Sequence, residues 1–233
     1  MSQIKIGGIE RFSLVDYPEK IVATIFMQGC PWRCPFCHNG SLQSAQSETY
    51  ISWEKLLSFF EQRKGKLDAI VFSGGEPLMQ DELLQAMQDV KDLGYNVGLH
   101  TGGYRPKMFK KILPLVDWVG FDIKAPFEEE HYRQATGGIN HLAHVLESLD
   151  MLIASGIHFE CRTTCYPKVL DLPDIYKIGE SLKAKGVKEY YLQKYRPIPS
   201  DTTTHEIDCD KFFKDEELLN WLRTNFAKFD IRT

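Results

Sequence analysis

The chain has 233 residues, 28 Lys and Arg against 32 Asp and Glu, a formal net charge of −4, and 43% hydrophobic residues. That apolar fraction with so little net charge excludes a disordered protein, and the length allows a buried core without disulfides. A mildly acidic balance argues against non-specific binding to nucleic acid or an anionic membrane, which needs a clustered cationic face. The start, Met1-Ser2-Gln3-Ile4-Lys5, has no basic region ahead of an apolar run, and no later run approaches the length of a membrane span. The expectation is a soluble, cytoplasmic protein with neither nucleic acid nor membrane as partner.

From residue 21 onward, short β-rich apolar runs alternate with amphipathic stretches. Ile21–Met27 reads as a strand and 53–63 as a helix; Ala69–Ser73 is the next strand. The helix at 81–93 places Leu83, Leu84, Met87 and Val90 on one face, and strand Asn96–His100 follows. A helix at 106–113 leads to strand Trp118–Ile123. The helix at 141–155 carries Leu142, Val145, Leu146, Leu149 and Ile153 at helical spacing, ahead of strand His158–Thr164. Last come a helix at 172–185, strand Val187–Leu192 and a helix at 214–226. Gly94, Gly156 and Gly186 stand where left-handed C-caps are expected, and Asp171-Leu172-Pro173 opens a helix as a cap and first turn. Six strand–helix units in series imply a parallel sheet, because each crossover helix returns the chain to start the next strand in the same direction. Six are fewer than the eight of a closed barrel. Periodicity leaves a partial (β/α)6 barrel and an open doubly wound sheet as alternatives, with chemistry at the C-terminal strand ends in both. The expected fold is α/β, a partial (β/α)6 TIM-like barrel with outer helices. It forms one domain over 1–233, with its core at about 20–197 and a C-terminal helical extension at about 210–233.

Three of the six cysteines crowd into eight residues, Cys30-Pro-Trp-Arg-Cys34-Pro-Phe-Cys37, directly after the first strand. In a reducing compartment such a cluster reads as metal ligands rather than disulfides. A four-iron cubane normally takes four cysteines, so three leave one iron open to another ligand. Zinc with His38 as fourth ligand is the rival, although structural zinc sites usually come as two spaced pairs and His38 adjoins Cys37 awkwardly. Cys161 and Cys165 fall on one face of a strand and read as small buried hydrophobes.

The C-x3-C-x2-C spacing, with Phe36 just before the third cysteine, resembles the signature of the radical S-adenosylmethionine superfamily. Cys37-His38-Asn39, with Asp16-Tyr17-Pro18 upstream of a strand that ends in Gln28-Gly29-Cys30, is similar to the glycyl-radical-enzyme activating branch, and most of all to activating proteins of anaerobic ribonucleoside-triphosphate reductase. The resemblance covers about residues 7–197. It implies that Cys30, Cys34 and Cys37 hold one [4Fe-4S] cluster whose fourth iron chelates S-adenosylmethionine. One electron then cleaves the cofactor to a 5′-deoxyadenosyl radical, which abstracts hydrogen from a glycine of a partner glycyl radical enzyme. A flavodoxin- or ferredoxin-type electron donor is implied as well.

Further motifs fall at strand ends. Ser73-Gly74-Gly75-Glu76-Pro77 would be an ordinary turn in isolation; one unit after the cysteine loop it matches the family's glycine-rich motif for the methionine amino group, with Glu76 as an acceptor. His100-Thr101 stands where the pyruvate formate-lyase branch carries Asp-Thr beside a monovalent cation, and His100 departs from that pattern. Thr101 is kept as a cofactor contact. Asp122-Ile123-Lys124 matches the branch's Asp-x-Lys motif near the cofactor, and Arg162 resembles an Arg that meets the ribose or carboxylate. Phe36, Gly74, Gly75, Glu76, Thr101, Asp122, Lys124 and Arg162 are therefore the expected cofactor contacts. The last strand lacks the branch's usual closing histidine, and neither Gln193 nor Arg196 is assigned its role. A radical S-adenosylmethionine enzyme acting on a small molecule, such as a deazapurine synthase, is the nearer rival. A zinc or electron-transfer protein is the more distant one.

Overall fold

The computed structural model describes residues 4–46, 51–199 and 201–233. Among the described residues, eight strands lie in sequence order in one mostly parallel sheet. β1 (Ile6–Ser13) runs antiparallel to β2 (Val22–Met27), which pairs in parallel with β3 (Ala69–Gly74), and β3 pairs in parallel with β4 (Asn96–Thr101). β5 (Trp118–Asp122) is next in order; β6 (His158–Cys165), β7 (Glu189–Lys194) and β8 (Lys228–Arg232) follow, with parallel pairing from β6 to β8. The helices are α1 (Trp53–Gln62), α2 (Leu83–Asp92), α3 (Pro106–Ile112), α4 (Glu129–Ala135), α5 (Leu142–Ser155), α6 (Leu172–Ala184), α7 (Glu206–Lys214) and α8 (Glu216–Asn225). None among the described residues is long and apolar enough to cross a membrane.

The chain divides into two compact units. The first comprises 1–31, 39–120 and 144–158; the second comprises 32–38, 121–143 and 159–233. In the first, Val22–Ile25 and Ala69–Phe72 are buried at every position, as strands covered on both faces must be. Tyr17 stacks on Trp118 with centroids 4.8 Å apart, against Val22, Ala69 and Val71. In the second, Ile175, Ile178 and Leu182 of α6, Tyr190 and Leu192 of β7, and Leu218, Leu219 and Leu222 of α8 are all buried. Asp171 caps α6 by accepting from the Asp174 N–H while Asp174 accepts from the Asp171 N–H, a reciprocal cap ahead of Pro173. Gly94, Gly156 and Gly186 adopt the left-handed φ of 90°, 73° and 81° expected of C-caps.

Two strands correct the sequence reading. β1 and β8 lie outside the stretch 20–197 assigned to the core, and the C-terminal stretch 210–233, read as helical, ends in β8 after α7 and α8. Both are edge strands with little apolar signal: only Ile6 and Ser13 of β1 are buried, and β8 has polar residues at three of its five positions, Lys228, Asp230 and Arg232. Charged edges resist pairing with other chains, at the cost of a weak hydrophobic pattern.

Candidate active site

Each predicted motif falls at the C-terminal end of its strand, except that Arg162 lies within β6, three residues before its end. In the first unit, the chain leaving β2 turns at Gly29 and closes a loop. Gly29 N–H donates to Leu42 O (2.8 Å) and Cys30 N–H to Gln43 O (3.1 Å). Buried Gln28 fastens the same loop by donating to the carbonyls of Ser41 and Ser44. The glycine motif packs directly on this turn. Gly75 N–H donates to Met27 O and Glu76 N–H to Gly29 O. A Cβ at Gly75 would stand 2.1 Å from Gly29 O; one at Gly74, whose φ is +107°, would stand 2.3 Å from Met27 N. Only glycine permits two backbones this close.

Glu76 is 1% exposed, and its carboxylate turns into the fold rather than outward. Oε1 accepts from the Thr101 hydroxyl (2.6 Å) and the Leu78 N–H (3.1 Å), and Oε2 accepts from the Gly102 N–H (2.9 Å). Thr101, also buried, accepts from the Gly103 N–H through the same oxygen (3.0 Å). Glu76 and Thr101 thus form one cross-brace between the ends of β3 and β4. Beside it, the two ring nitrogens of His100 meet the Ser73 hydroxyl (3.3 Å) and the Asp16 carbonyl (2.7 Å), while the Asp16 carboxylate accepts from Thr24 (2.8 Å). Sequence reasoning missed this tie of Asp16-Tyr17-Pro18 to β4. The only signal was that Asp16 and His100 each bear polar groups among apolar neighbours.

In the second unit, Cys34 and Cys37 sit on a tight turn closed by the Cys37 N–H donating to Cys34 O (3.1 Å), and both are half-buried. Burial pushes the Cys34 thiol up to about 11, the Lys124 ammonium opposing. The Phe36 ring packs on Tyr166 with centroids 5.8 Å apart. At the end of β5, Asp122 Oδ1 accepts from Arg162 Nε and Nη2 (3.0 and 2.8 Å), while Lys124 Nζ lies 3.7 Å from Oδ2 and 5.2 Å from the centre of the Trp32 ring. Asp122, Lys124 and Arg162 are thus brought together as one cluster of two cations and one carboxylate.

The donor set fits an iron–sulfur cluster better than zinc. His38 is engaged elsewhere: its ring stacks on Tyr195 at 7° and its Nε2 meets Arg196 O at 2.8 Å. The Tyr132 hydroxyl, fully buried and with both Cys34 and Lys124 in its electrostatic surroundings, lies beside the Lys124 backbone but donates to no acceptor among the described residues. Burial pushes its proton affinity up, so it stays a donor, and a sulfur-rich group held by Cys34 would give it an acceptor. Cys161 and Cys165, both fully buried with thiols pushed up by burial, belong to the core.

A sequence profile of the radical SAM superfamily matches residues 24–177. The chain is 31% identical over 197 residues to a Methanocaldococcus jannaschii protein named as a glycyl-radical enzyme activating enzyme, covering 82% of this chain and 80% of that one. It is 33% identical over 238 residues to the pyruvate formate-lyase-activating enzyme of Clostridium pasteurianum, covering 94% and 97%. Among solved structures, QueE from Escherichia coli shares the fold at a TM-score of 0.61 and 18% identity, over 99% of this chain and 94% of that one. The chain belongs to the radical S-adenosylmethionine superfamily, in its glycyl-radical-enzyme activating branch, and is an oxidoreductase whose cofactors are a [4Fe-4S] cluster and S-adenosylmethionine.

Proposed function

We propose that this enzyme installs a glycyl radical on an anaerobic ribonucleoside-triphosphate reductase, in the cytoplasm, with its electron supplied by a flavodoxin or ferredoxin. The observation that carries the reading is the loop of three thiols after β2, Cys30, Cys34 and Cys37, in a chain whose full-length relatives are named for activating glycyl radical enzymes. These cysteines would hold the cluster. When bound, the cluster and S-adenosylmethionine supply the one-electron cleavage that yields the 5′-deoxyadenosyl radical for hydrogen abstraction.

The chain's own residues position these groups. Gly74 and Gly75 let the β3 loop close on the Gly29 turn, which sets where Cys30 stands. Glu76 and Thr101 act through the backbone they brace, since their side chains are buried and engaged with each other. Asp122 accepts from Arg162 through one oxygen and keeps the other beside Lys124, so the cluster offers both an acceptor and cations to a zwitterionic amino acid. Phe36, held against Tyr166, gives this region an apolar wall.

The test is anaerobic reconstitution with iron and sulfide, reduction by dithionite, and addition of S-adenosylmethionine with the anaerobic reductase. The expected result is 5′-deoxyadenosine in step with a glycyl signal by electron paramagnetic resonance, both lost in Cys30→Ala. 5′-Deoxyadenosine without a glycyl signal on the reductase overturns the partner; zinc bound in place of a cluster overturns the mechanism.

A further inference from the structure

A cavity of about 220 Å³ opens at the ends of β6, β7 and β8, lined by His38, Thr164, Gln193, Lys194, Arg196, Arg232 and Thr233. Three of these residues are cations, but two are already neutralised. Arg232 grips both oxygens of the buried Glu160, with Nη2 2.7 Å from Oε2, and Lys194 pairs with Asp210 at 2.7 Å. Arg196 is exposed, and among the described residues its guanidinium meets no carboxylate. Thr164 and Gln193, which are register partners across β6 and β7, likewise have no side-chain hydrogen bond there. One uncompensated guanidinium, one amide and one hydroxyl therefore share a small concave space.

We propose that Arg196, Gln193 and Thr164 form a subsite for a carboxylate of the substrate, an acidic side chain near the glycine that the partner presents. The inference rests on the activating-enzyme reading and deepens it. A planar guanidinium at the mouth, backed by two neutral donors, matches a carboxylate's two oxygens. The volume is below that of sites for whole drug-sized ligands or nucleotides, but admits one side chain. Position separates the subsite from the cofactor contacts. Thr164 is two residues beyond Arg162 on β6, a rise of about 7 Å along the strand, and Arg196 lies two residues past the end of β7. The cavity also touches the iron site's own loop, because His38 adjoins Cys37 and is bonded to Arg196 O.

The reconstituted enzyme with S-adenosylmethionine bound is titrated calorimetrically, without oxygen, with acetyl-Gly-Glu-amide and acetyl-Gly-Gln-amide. The glutamate peptide should bind more tightly than its glutamine twin by about tenfold, the worth of a charge-assisted bidentate contact. Arg196→Gln should erase that preference, and Gln193→Ala should reduce it. The backbone carbonyl that His38 uses remains in Arg196→Gln, so its loop stays tied. Equal binding of the two peptides by the wild type, or a preference that survives Arg196→Gln, overturns the subsite. So does an equal fall in affinity for S-adenosylmethionine in Arg196→Gln, which would place the cofactor's own carboxylate there. Failure of the activating reading shows separately, as absence of the glycyl signal while peptide discrimination persists.

Discussion

The brace between Glu76 and Thr101 makes a quantitative prediction. Thr101→Val keeps the volume of a residue only 2% exposed but removes its hydroxyl. Two interactions are lost: the donation to the Glu76 carboxylate at 2.6 Å and the acceptance from Gly103 N–H at 3.0 Å. A hydrogen bond to a charged group contributes about 1.5–3 kcal/mol, and a buried N–H left unmet costs about 1–3 kcal/mol. The sum is about 4 kcal/mol, a large share of the roughly 5–15 kcal/mol that holds a domain together. For a chain of this size that corresponds to a fall in melting temperature of roughly 8–16 °C. The control is Thr101→Ser, which keeps the hydroxyl and loses one methyl, at a cost of about 1 kcal/mol. Urea unfolding of the reconstituted protein, followed by far-ultraviolet circular dichroism, distinguishes the two. If Val and Ser destabilise equally, or if Val costs less than about 1 kcal/mol, the brace is not what holds the ends of β3 and β4.

Three further outcomes are expected. Gly75→Ala forces a Cβ to within 2.1 Å of Gly29 O, so the turn before Cys30 must move; iron content after reconstitution should drop well below wild type, and full loading would refute the close-packing argument. Tyr132→Phe deletes a buried hydroxyl that donates to no acceptor among the described residues, so the iron-free protein should be as stable as wild type or more so. In the loaded protein the same change should lower the cluster's midpoint potential in a redox titration, because a donor near sulfur is gone; an unchanged potential would show that the hydroxyl does not reach the cluster. The third outcome concerns Asp201, which is held below the usual carboxylate range by Lys168, with Thr204, Tyr166 and Tyr195 also bonded to it. A depressed pKa contributes stability that is complete above the unfolded value near 4 and is lost as pH falls below it. Wild type should therefore lose stability on acidification below about pH 4 more steeply than Asp201→Asn, and parallel curves would refute the assignment.

Much of this architecture could be read from residue order, for identifiable reasons. Buried parallel strands announce themselves as unbroken apolar runs, so β2, β3 and β4 were located to within a residue. The helix α4 escaped because Glu129–Ala135 buries only Tyr132 and Ala135, too few for a helical period. The cysteine loop and Gly74-Gly75-Glu76 were legible as motifs, since their chemistry lies in residue type and spacing. How Glu76 is held in the fold was not legible: it accepts from Leu78, Thr101 and Gly102, the last two 25 and 26 residues away at the end of β4 and just beyond it. The tie between His100 and Asp16, 84 residues apart, was hidden for the same reason.

The distribution of sulfur has a practical consequence. Cys161, Cys165 and Cys209 are sealed in the interior, and only Cys30, Cys34 and Cys37 are within reach of solvent. Alkylating reagents acting on the native chain therefore count vacancies at the iron site and nothing else. Label taken up by the native protein, divided by half the total label taken up by a separately unfolded sample, gives the fraction of molecules without iron. The chain carries its own occupancy gauge, readable by mass spectrometry without any spectroscopic standard.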